Sequence, residues 1–209
     1  MIIRFNENRI YFKYFFKSLI PKNMYYVNGS KKDWLVKLTH EIHKRIVSPS
    51  FMVQDLVKPM MTSRTQLYSR IKKMTGLTPN QYIQKIRLKK AHQLILTNKY
   101  NSLHQIVDEV GFKRLEDFKS LYIRTYNCSP SVIFEELWGS RLKALILQKL
   151  TLSNYTVEDL IHEMSIDRKL LYKRTKKITK LSPGRYIRKL RLEKAKELIE
   201  KGEANSVKE

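Results

Sequence analysis

The chain contains the same residue pattern twice, at a fixed offset of 104 positions. Residues 77–95 read LTPNQYIQKIRLKKAHQLI, and residues 181–199 read LSPGRYIRKLRLEKAKELI. The identities at this offset include Val53/Val157, Asp55/Asp159, Leu56/Leu160, Met60/Met164, Arg64/Arg168, Leu67/Leu171, Tyr68/Tyr172, Pro79/Pro183, Arg87/Arg191 and Ala91/Ala195. Such self-similarity indicates one supersecondary unit encoded twice. The first copy continues through residues 103–136, and the second reaches Glu209 where that continuation would begin.

The first half of each copy has the pattern of short helices followed by a long one. Apolar residues recur at spacings of three and four, which predicts helices near 33–47 and near 53–60. Ser63 followed by Gln66 has the capping-box spacing of a helix start, and Gly76 suits a left-handed helix end. Two short helices joined by a tight turn, the second of them basic, are typical of a helix-turn-helix.

The second half of the first copy repeats this logic after a long helix that begins at Pro79, where proline is favoured. Ser102 with Gln105 forms a second capping-box pattern, and a helix is predicted from about Arg114 to Tyr126. Asn127 suits a left-handed stop, and Ser129-Pro130 opens the last helix of the copy. The first copy therefore contains a second helix-turn-helix.

Charge and composition point to a polyanionic partner. The chain has 209 residues with 42 Lys and Arg against 19 Asp and Glu, a net charge of +23, while 42% of residues are hydrophobic. A basic chain that can form a core is typical of nucleic-acid binding, and the alternative is a solvated basic surface. The single cysteine, Cys128, forms no internal disulfide, which fits the cytoplasm. No apolar run approaches the ~18 residues of a membrane span.

Two motifs carry a resemblance to a known family. RTQLYSRIKKMTGLTPNQYIQKIRLKKAHQLI and IVDEVGFKRLEDFKSLYIRTYNCSPSVIF resemble the two helix-turn-helix regions of AraC/XylS-type transcription regulators. The resemblance covers residues 34–136 and, as a truncated second copy, residues 141–209. It implies an all-α fold of tandem homeodomain-like helix-turn-helix bundles joined by a long linker helix. The predicted domains are an aromatic and basic segment 1–33, a DNA-binding domain 34–137 and the truncated copy 138–209.

The resemblance implies a sequence-specific, double-stranded DNA-binding transcription regulator that reads consecutive major grooves. A linker helix over 79–97 spans roughly 28 Å at ~1.5 Å per residue. Adjacent grooves on one DNA face lie about 34 Å apart, so such a rod can separate two reading heads by close to one helical turn.

The DNA-binding residues are carried over by position. The first head supplies Arg64, Thr65, Gln66, Tyr68 and Ser69 near the groove and Arg70, Lys72 and Lys73 near phosphates; the second supplies Arg114, Glu116, Lys119 and Ser120; the second copy supplies Arg168, Lys169, Tyr172 and Lys173. Phosphate contacts set affinity, whereas contacts to base edges set sequence preference.

The sequence departs from the family pattern at four places. Pro59 lacks a backbone donor and is expected to end its short helix early. Met61 stands in a turn where the family usually has glycine, which predicts a strained turn. Glu116 and its neighbour Asp117 place acids where phosphates are expected, so the second head should bind weakly or selectively. Lys180 replaces the Gly76 of the first copy, and a lysine at positive φ costs about 1 kcal/mol or more.

The sequence offers little support for catalysis. His40, Glu41 and His43 form HEIH, which differs from the zinc-binding HExxH pattern and has no evident third ligand. No cofactor, metal site or catalytic residue is therefore predicted, and the chain is interpreted as not an enzyme.

A second hypothesis treats the chain as a helical interaction module. It would bind DNA without sequence preference, or pair with itself or another regulator through an apolar face of the second copy. Residues 1–33 fit a hairpin or a broken amphipathic helix equally well. Ser206 with Glu209 is itself a capping-box pattern, and the second long helix is expected to fray, or to need a partner, from about Ala195.

Overall fold

The computed structural model describes residues 29–152 and 154–202. The alternatives for the N-terminal segment fall almost wholly outside the described residues, and the Ser206–Glu209 capping box lies outside them too. Within the described ranges the chain is helical and has no strand, which confirms the all-α prediction. The helices are α1 (Gly29–Arg45), a 3-10 helix (Val53–Leu56), α2 (Arg64–Thr75), α3 (Pro79–Thr97), α4 (Leu103–Glu109), α5 (Leu115–Tyr126), α6 (Pro130–Gln148), α7 (Val157–Met164), α8 (Arg168–Thr179) and α9 (Pro183–Glu200).

The helix predicted near 53–60 is wrong in type and length. The structure has a 3-10 helix that ends at Leu56 and is followed by turns. Pro59 explains the early end, because it has no N–H to donate to the Asp55 carbonyl four residues before. Met61 then adopts φ 50°, as expected for a residue at a glycine position.

The predicted helix caps are confirmed. Ser63 and Gln66 form a reciprocal capping box at the start of α2, and Gly76 ends that helix with φ 73°. Ser102 and Gln105 exchange the same pair of hydrogen bonds at the start of α4. Asn127 ends α5 with φ 53°, and Lys180 ends α8 with φ 64°. These caps are local, since each depends on residues three or four positions apart.

The described chain forms two compact units. The first contains residues up to Lys90 together with Asp108–Lys113. Its core joins α1, the 3-10 helix, α2 and the first part of α3, with fully buried Leu38, Ile42, Ile46, Leu56, Leu67 and Ile71. Gly111 is required in this unit, because a Cβ there would lie 2.2 Å from the Ile46 carbonyl oxygen.

The second unit contains Ala91–Val107 and the residues from Arg114 onward. The core of its second-copy part joins α6, α7, α8 and α9, with fully buried Trp138, Leu142, Ile146, Leu160, Met164 and Leu171. Helix α6 continues through the domain boundary predicted between residues 137 and 138. The predicted domain bounds follow the sequence repeat and remain a prediction. The compact units divide the chain elsewhere, between Lys90 and Ala91.

The two copies share a side-chain-to-backbone hydrogen bond at equivalent positions of the repeat. In the first unit Arg87 Nη2 donates to the Ser48 carbonyl at 2.9 Å, and in the second unit Arg191 Nη2 donates to the Leu152 carbonyl at 3.1 Å. Each arginine thereby ties the long helix of its copy to the loop that follows the first helix.

Helix α9 extends through Glu200, beyond the point where fraying is predicted, with Leu198 half-buried and Ile199 exposed. Fraying itself stays a prediction. No helix in the described ranges combines the length and the apolar character that a membrane crossing requires.

Candidate nucleic-acid interface

Helix α2 separates its apolar and polar residues cleanly. Leu67 and Ile71 are fully buried, and every predicted DNA-binding residue on the helix is exposed: Arg64, Thr65, Gln66, Tyr68, Ser69, Arg70, Lys72 and Lys73. At 3.6 residues per turn, Thr65, Ser69 and Lys72 lie on the side opposite the buried pair. The outward face therefore carries short hydroxyl side chains near the helix start and cations further along.

Two of the predicted residues on α2 have structural partners. The Gln66 side-chain oxygen accepts from the Ser63 backbone N–H at 3.2 Å and from the Thr62 hydroxyl at 3.1 Å, so it belongs to the helix cap. The Arg70 guanidinium lies 4.2 Å from the centroid of the Trp34 ring. Both residues are thus held in place by the first unit, which leaves Thr65 and Ser69 as the less constrained polar side chains.

Helix α5 presents a different surface. Arg114 is its N-cap residue and makes no side-chain cap bond, while the buried Phe118 and Tyr122 hold the helix in the second unit. Glu116 and Asp117 occupy the first turn, and Lys119 lies 4.0 Å from Glu116 in an ion pair. Ser120 is exposed. Acids in the first turn suit the helix dipole but repel phosphate, so this helix offers a weaker anion-binding surface than α2.

Helix α8, in the second copy, is the most basic of the three. Its N-cap Asp167 accepts from the Leu170 N–H at 2.8 Å, and Arg168 forms an ion pair with Glu158. Lys169, Tyr172 and Lys173 are exposed, as predicted for DNA-binding positions. Lysines can contact phosphates without reading base sequence.

Sequence reasoning missed Arg174, which occupies the position of Arg70 at the repeat offset. Arg174 is 6% exposed, and its guanidinium lies 4.2 Å from the Trp138 ring centroid and 4.8 Å from that of Phe134. Its Nη2 lies 3.7 Å from a Glu135 carboxylate oxygen. The offset could have drawn attention to it, because Trp138 also stands one repeat after Trp34.

Glu41 of the HEIH pattern forms hydrogen bonds within helix α1. Glu41 accepts hydrogen bonds from Arg45 at 2.5 Å and from Lys44 at 3.0 Å, and these bonds lower the pKa of Glu41 to about 2. Partial burial, followed by nearby lysines, lowers the pKa of His43. Among the described residues no three His, Cys, Asp or Glu side chains are placed to hold a metal ion.

The geometry defines a class of protein, namely one built from helix-turn-helix units with exposed polar second helices. Residues 56–136 match the family model described as a helix-turn-helix domain. The match agrees with the resemblance of these residues to AraC/XylS-type regulators. The matched family is one of DNA-binding transcription regulators and not of enzymes.

Curated relatives match about half or more of the chain. The chain is 34% identical over 128 residues to histidine kinase P4 of Formosa agariphila, covering 60% of this chain and 9% of that one. It is 31% identical to the Msm operon regulatory protein of Streptococcus mutans, covering 53% and 39%, and 33% identical to the transcriptional regulator MtrA of Neisseria gonorrhoeae, covering 50% and 35%. The chain thus spans less than half the length of each of these relatives.

One solved structure is also similar. It is the C-terminal domain of AraT, a response regulator from Geobacillus stearothermophilus, with 20% identity and a TM-score of 0.44 over 49% of this chain and 84% of that one.

Proposed function

We propose that the chain is a double-stranded DNA-binding transcription regulator and that α2 reads base sequence in a major groove. The observation that carries the proposal is the outward face of α2, where Thr65 and Ser69 lie opposite the buried Leu67 and Ile71. In a helix-turn-helix the N-terminal part of the second helix meets the base edges. Lys72 and Lys73, further along the helix, are positioned for phosphates. The match of residues 56–136 to a helix-turn-helix domain supports this assignment.

Binding to consecutive major grooves is the finer part of the proposal. The support is the uninterrupted helix α3, whose 19 residues give a rod of about 28 Å. In this proposal α2 is the principal DNA-binding helix. Helix α5 also contacts DNA, through Arg114, Lys119 and Ser120, although Glu116 repels the phosphates.

The test is a binding titration of the full chain with two labelled duplexes across salt concentrations. One duplex is selected from a random pool, and the other is a scrambled sequence of equal composition. We expect the selected duplex to bind at least tenfold more tightly. Equal affinity for both at every salt concentration would overturn sequence reading.

Two substitutions on α2 separate the two kinds of contact. Thr65→Ala should reduce the discrimination between the duplexes and leave the salt slope unchanged. Lys72→Ala should weaken both duplexes equally and reduce the slope of log K against log salt by about 0.9. Lys143→Ala, which removes the same charge from an exposed position on α6, is the matched control.

A non-specific DNA-binding module is the second candidate, and α8 favours it. Arg174 is buried and Arg168 is paired with Glu158, so the exposed side chains that remain on this helix are mainly lysines. If this candidate is correct, the two-duplex titration should give the same affinity for both duplexes and a steep dependence of that affinity on salt.

A further inference from the structure

Within the second unit, the segment after α3 docks on the second copy through Asn101. The Asn101 side-chain Nδ2 donates to the carbonyl oxygens of Met164 and Ser165, both at 3.0 Å. The Asn101 carbonyl in turn accepts from Arg174 Nη1 at 2.6 Å. One asparagine thus satisfies three polar groups that belong to the second copy.

The receiving site is built from two elements. The first is the left-handed turn at Ser165, φ 49°, where the Met164 and Ser165 carbonyl oxygens both accept from Asn101. The second is Arg174, whose guanidinium lies 4.2 Å from the centroid of the Trp138 ring. A backbone carbonyl pair and an oriented guanidinium present complementary acceptors and donors to a single amide-bearing residue.

The first copy carries the same receiving elements in the first unit. Met60 and Met61 stand at the positions of Met164 and Ser165, and Met61 has the matching φ of 50°. Arg70 lies over Trp34 at 4.2 Å, the distance found for Arg174 and Trp138. We name these four residues the Trp34–Arg70 surface.

Met61 and Arg70 of this surface are exposed, whereas Met60 is buried and Trp34 is half-buried. Met61 is 89% exposed, and Arg70 is exposed where Arg174 is buried. Neither the Met60 nor the Met61 carbonyl oxygen accepts a hydrogen bond from any described residue. At the positions of the occupied site, the first copy therefore holds an exposed guanidinium and two carbonyls that have no hydrogen-bond donor among the described residues.

The docking segment also recurs one repeat later. Helix α3 is followed by Asn98 with φ 54°, whose N–H donates to Ile95 at 3.1 Å, and α9 is followed by Gly202 with φ 69°, whose N–H donates to Ile199 at 3.0 Å. The chain therefore leaves both long helices through the same turn. In the sequence, Asn205 stands at the position of Asn101.

We propose that the Trp34–Arg70 surface of one chain binds the segment 202–206 of a second copy through Asn205. The Asn205 amide donates to the Met60 and Met61 carbonyls, and Arg70 donates to the Asn205 carbonyl. Because the two surfaces of each chain are different, the contact is head-to-tail and extends to further copies.

Charge supports a second copy as the occupant. In the second unit Arg141 Nη1 donates to the carbonyls of Asn98 and Lys99, at 3.2 and 3.4 Å. Lys37 occupies the position of Arg141 in the first copy, and Glu203 occupies that of Lys99. In sequence, a lysine and an acid thus replace the two cations found at these positions of the occupied site.

Sedimentation velocity of the full chain without DNA tests the association. The weight-average mass should rise with concentration above the 25.0 kDa of one chain. Asn205→Ala should weaken this association at least tenfold. The control Lys208→Ala, at the position of the exposed His104, should leave it unchanged. A chain that stays monomeric at the highest concentration overturns the proposal, and DNA binding can succeed or fail independently of this result.

Cross-linking tests the direction of the contact. On a Cys128→Ser background, one chain carries Met61→Cys and another carries Ala204→Cys, which leaves the neighbouring Asn205 intact. The two chains are treated with a short bis-maleimide, separately and mixed. Mixed dimers should exceed both homodimers at least fivefold. Homodimers through position 61 that are as abundant as mixed dimers would overturn the head-to-tail contact. The same mixture is also tested with chains that lack residues 1–28. Mixed dimers that form only in these shortened chains would overturn the contact as well.

Discussion

The guanidinium of Arg174 lies 4.2 Å from the ring centroid of Trp138, and one repeat earlier Arg70 lies 4.2 Å from that of Trp34. The two pairs differ in environment, because Arg174 is 6% exposed and Trp138 is fully buried, whereas Arg70 is exposed. The repeat thus preserves a cation–π contact and uses it once in a core and once at a surface.

The first prediction compares these two arginines. Arg174→Ala removes the contact with Trp138, the bond to the Asn101 carbonyl and the ion pair with Glu135, and should cost about 3 kcal/mol of unfolding free energy. Arg70→Ala loses an exposed cation–π contact and should cost less than about 1 kcal/mol. Urea unfolding followed by circular dichroism measures both. Equal losses would contradict the assigned difference in environment.

Sequence patterns predicted the local features of this fold well, because caps are decided over three or four residues. Ser63, Gly76 and Asn127 each satisfy backbone groups beside them, so their neighbours in sequence suffice. The environment of Arg174 could not be predicted in this way, since its partner Asn101 is 73 residues distant. The exposed face of α2 followed from periodicity, but the use of Gln66 as a cap and of Arg70 as a partner of Trp34 depends on three-dimensional contacts.

The second prediction concerns two glycines that share a φ of 73°. A Cβ at Gly111 would lie 2.2 Å from the Ile46 carbonyl oxygen and 3.0 Å from that of Val47, whereas a Cβ at Gly76 would meet nothing within 4 Å. Gly76→Ala should therefore cost about 1 kcal/mol, from backbone strain alone. Gly111→Ala forces backbone apart and should cost at least about 3 kcal/mol. If the unfolding midpoints of the two variants fall equally, the backbone around Gly111 can shift to make room for the added methyl group.

The third prediction exchanges the caps of α2 and α8. Lys180 holds φ 64° at the end of α8, a conformation that costs an L-residue about 1–2 kcal/mol. Lys180→Gly should stabilise the chain by about 0.5–1 kcal/mol after the entropy of glycine in the unfolded state is counted. Gly76→Lys should destabilise by a similar amount. Thermal unfolding checks both, and a loss of stability in Lys180→Gly would indicate that the bond from Lys180 Nζ to the Lys177 carbonyl, 3.3 Å, outweighs the strain.

The fourth prediction is a pH dependence that arises from His92. This side chain is buried beside Tyr122, to which its Nδ1 is hydrogen-bonded, and burial lowers the pKa of His92 from 6.5 to about 4. Between these values the unfolded chain binds a proton that the folded chain does not, so stability falls as the pH drops below 6.5 and the loss levels off below about 4. About 2 kcal/mol should be lost between pH 8 and pH 5.

His92→Gln provides the control, because glutamine keeps a polar partner for Tyr122 and does not titrate in this range. The difference in unfolding free energy between the two chains should move in favour of the variant as the pH falls. A difference that stays constant from pH 8 to pH 5 would exclude His92 as the titrating group.

The fifth prediction concerns the acids at the start of α5. If this helix approaches DNA as proposed, Glu116 and Asp117 repel phosphates, and the double variant Glu116→Gln/Asp117→Asn should bind every duplex about three- to tenfold more tightly at low salt. The gain should shrink as salt screens the charges. Glu136→Gln, an exposed acid on α6, is the control of like chemistry. Removing the two acids also costs α5 a favourable interaction with its dipole, about 0.5 kcal/mol each, so unfolding is measured alongside. Unchanged affinity in a stably folded double variant would remove α5 from the interface and leave α2 as the sole reading helix of the first copy.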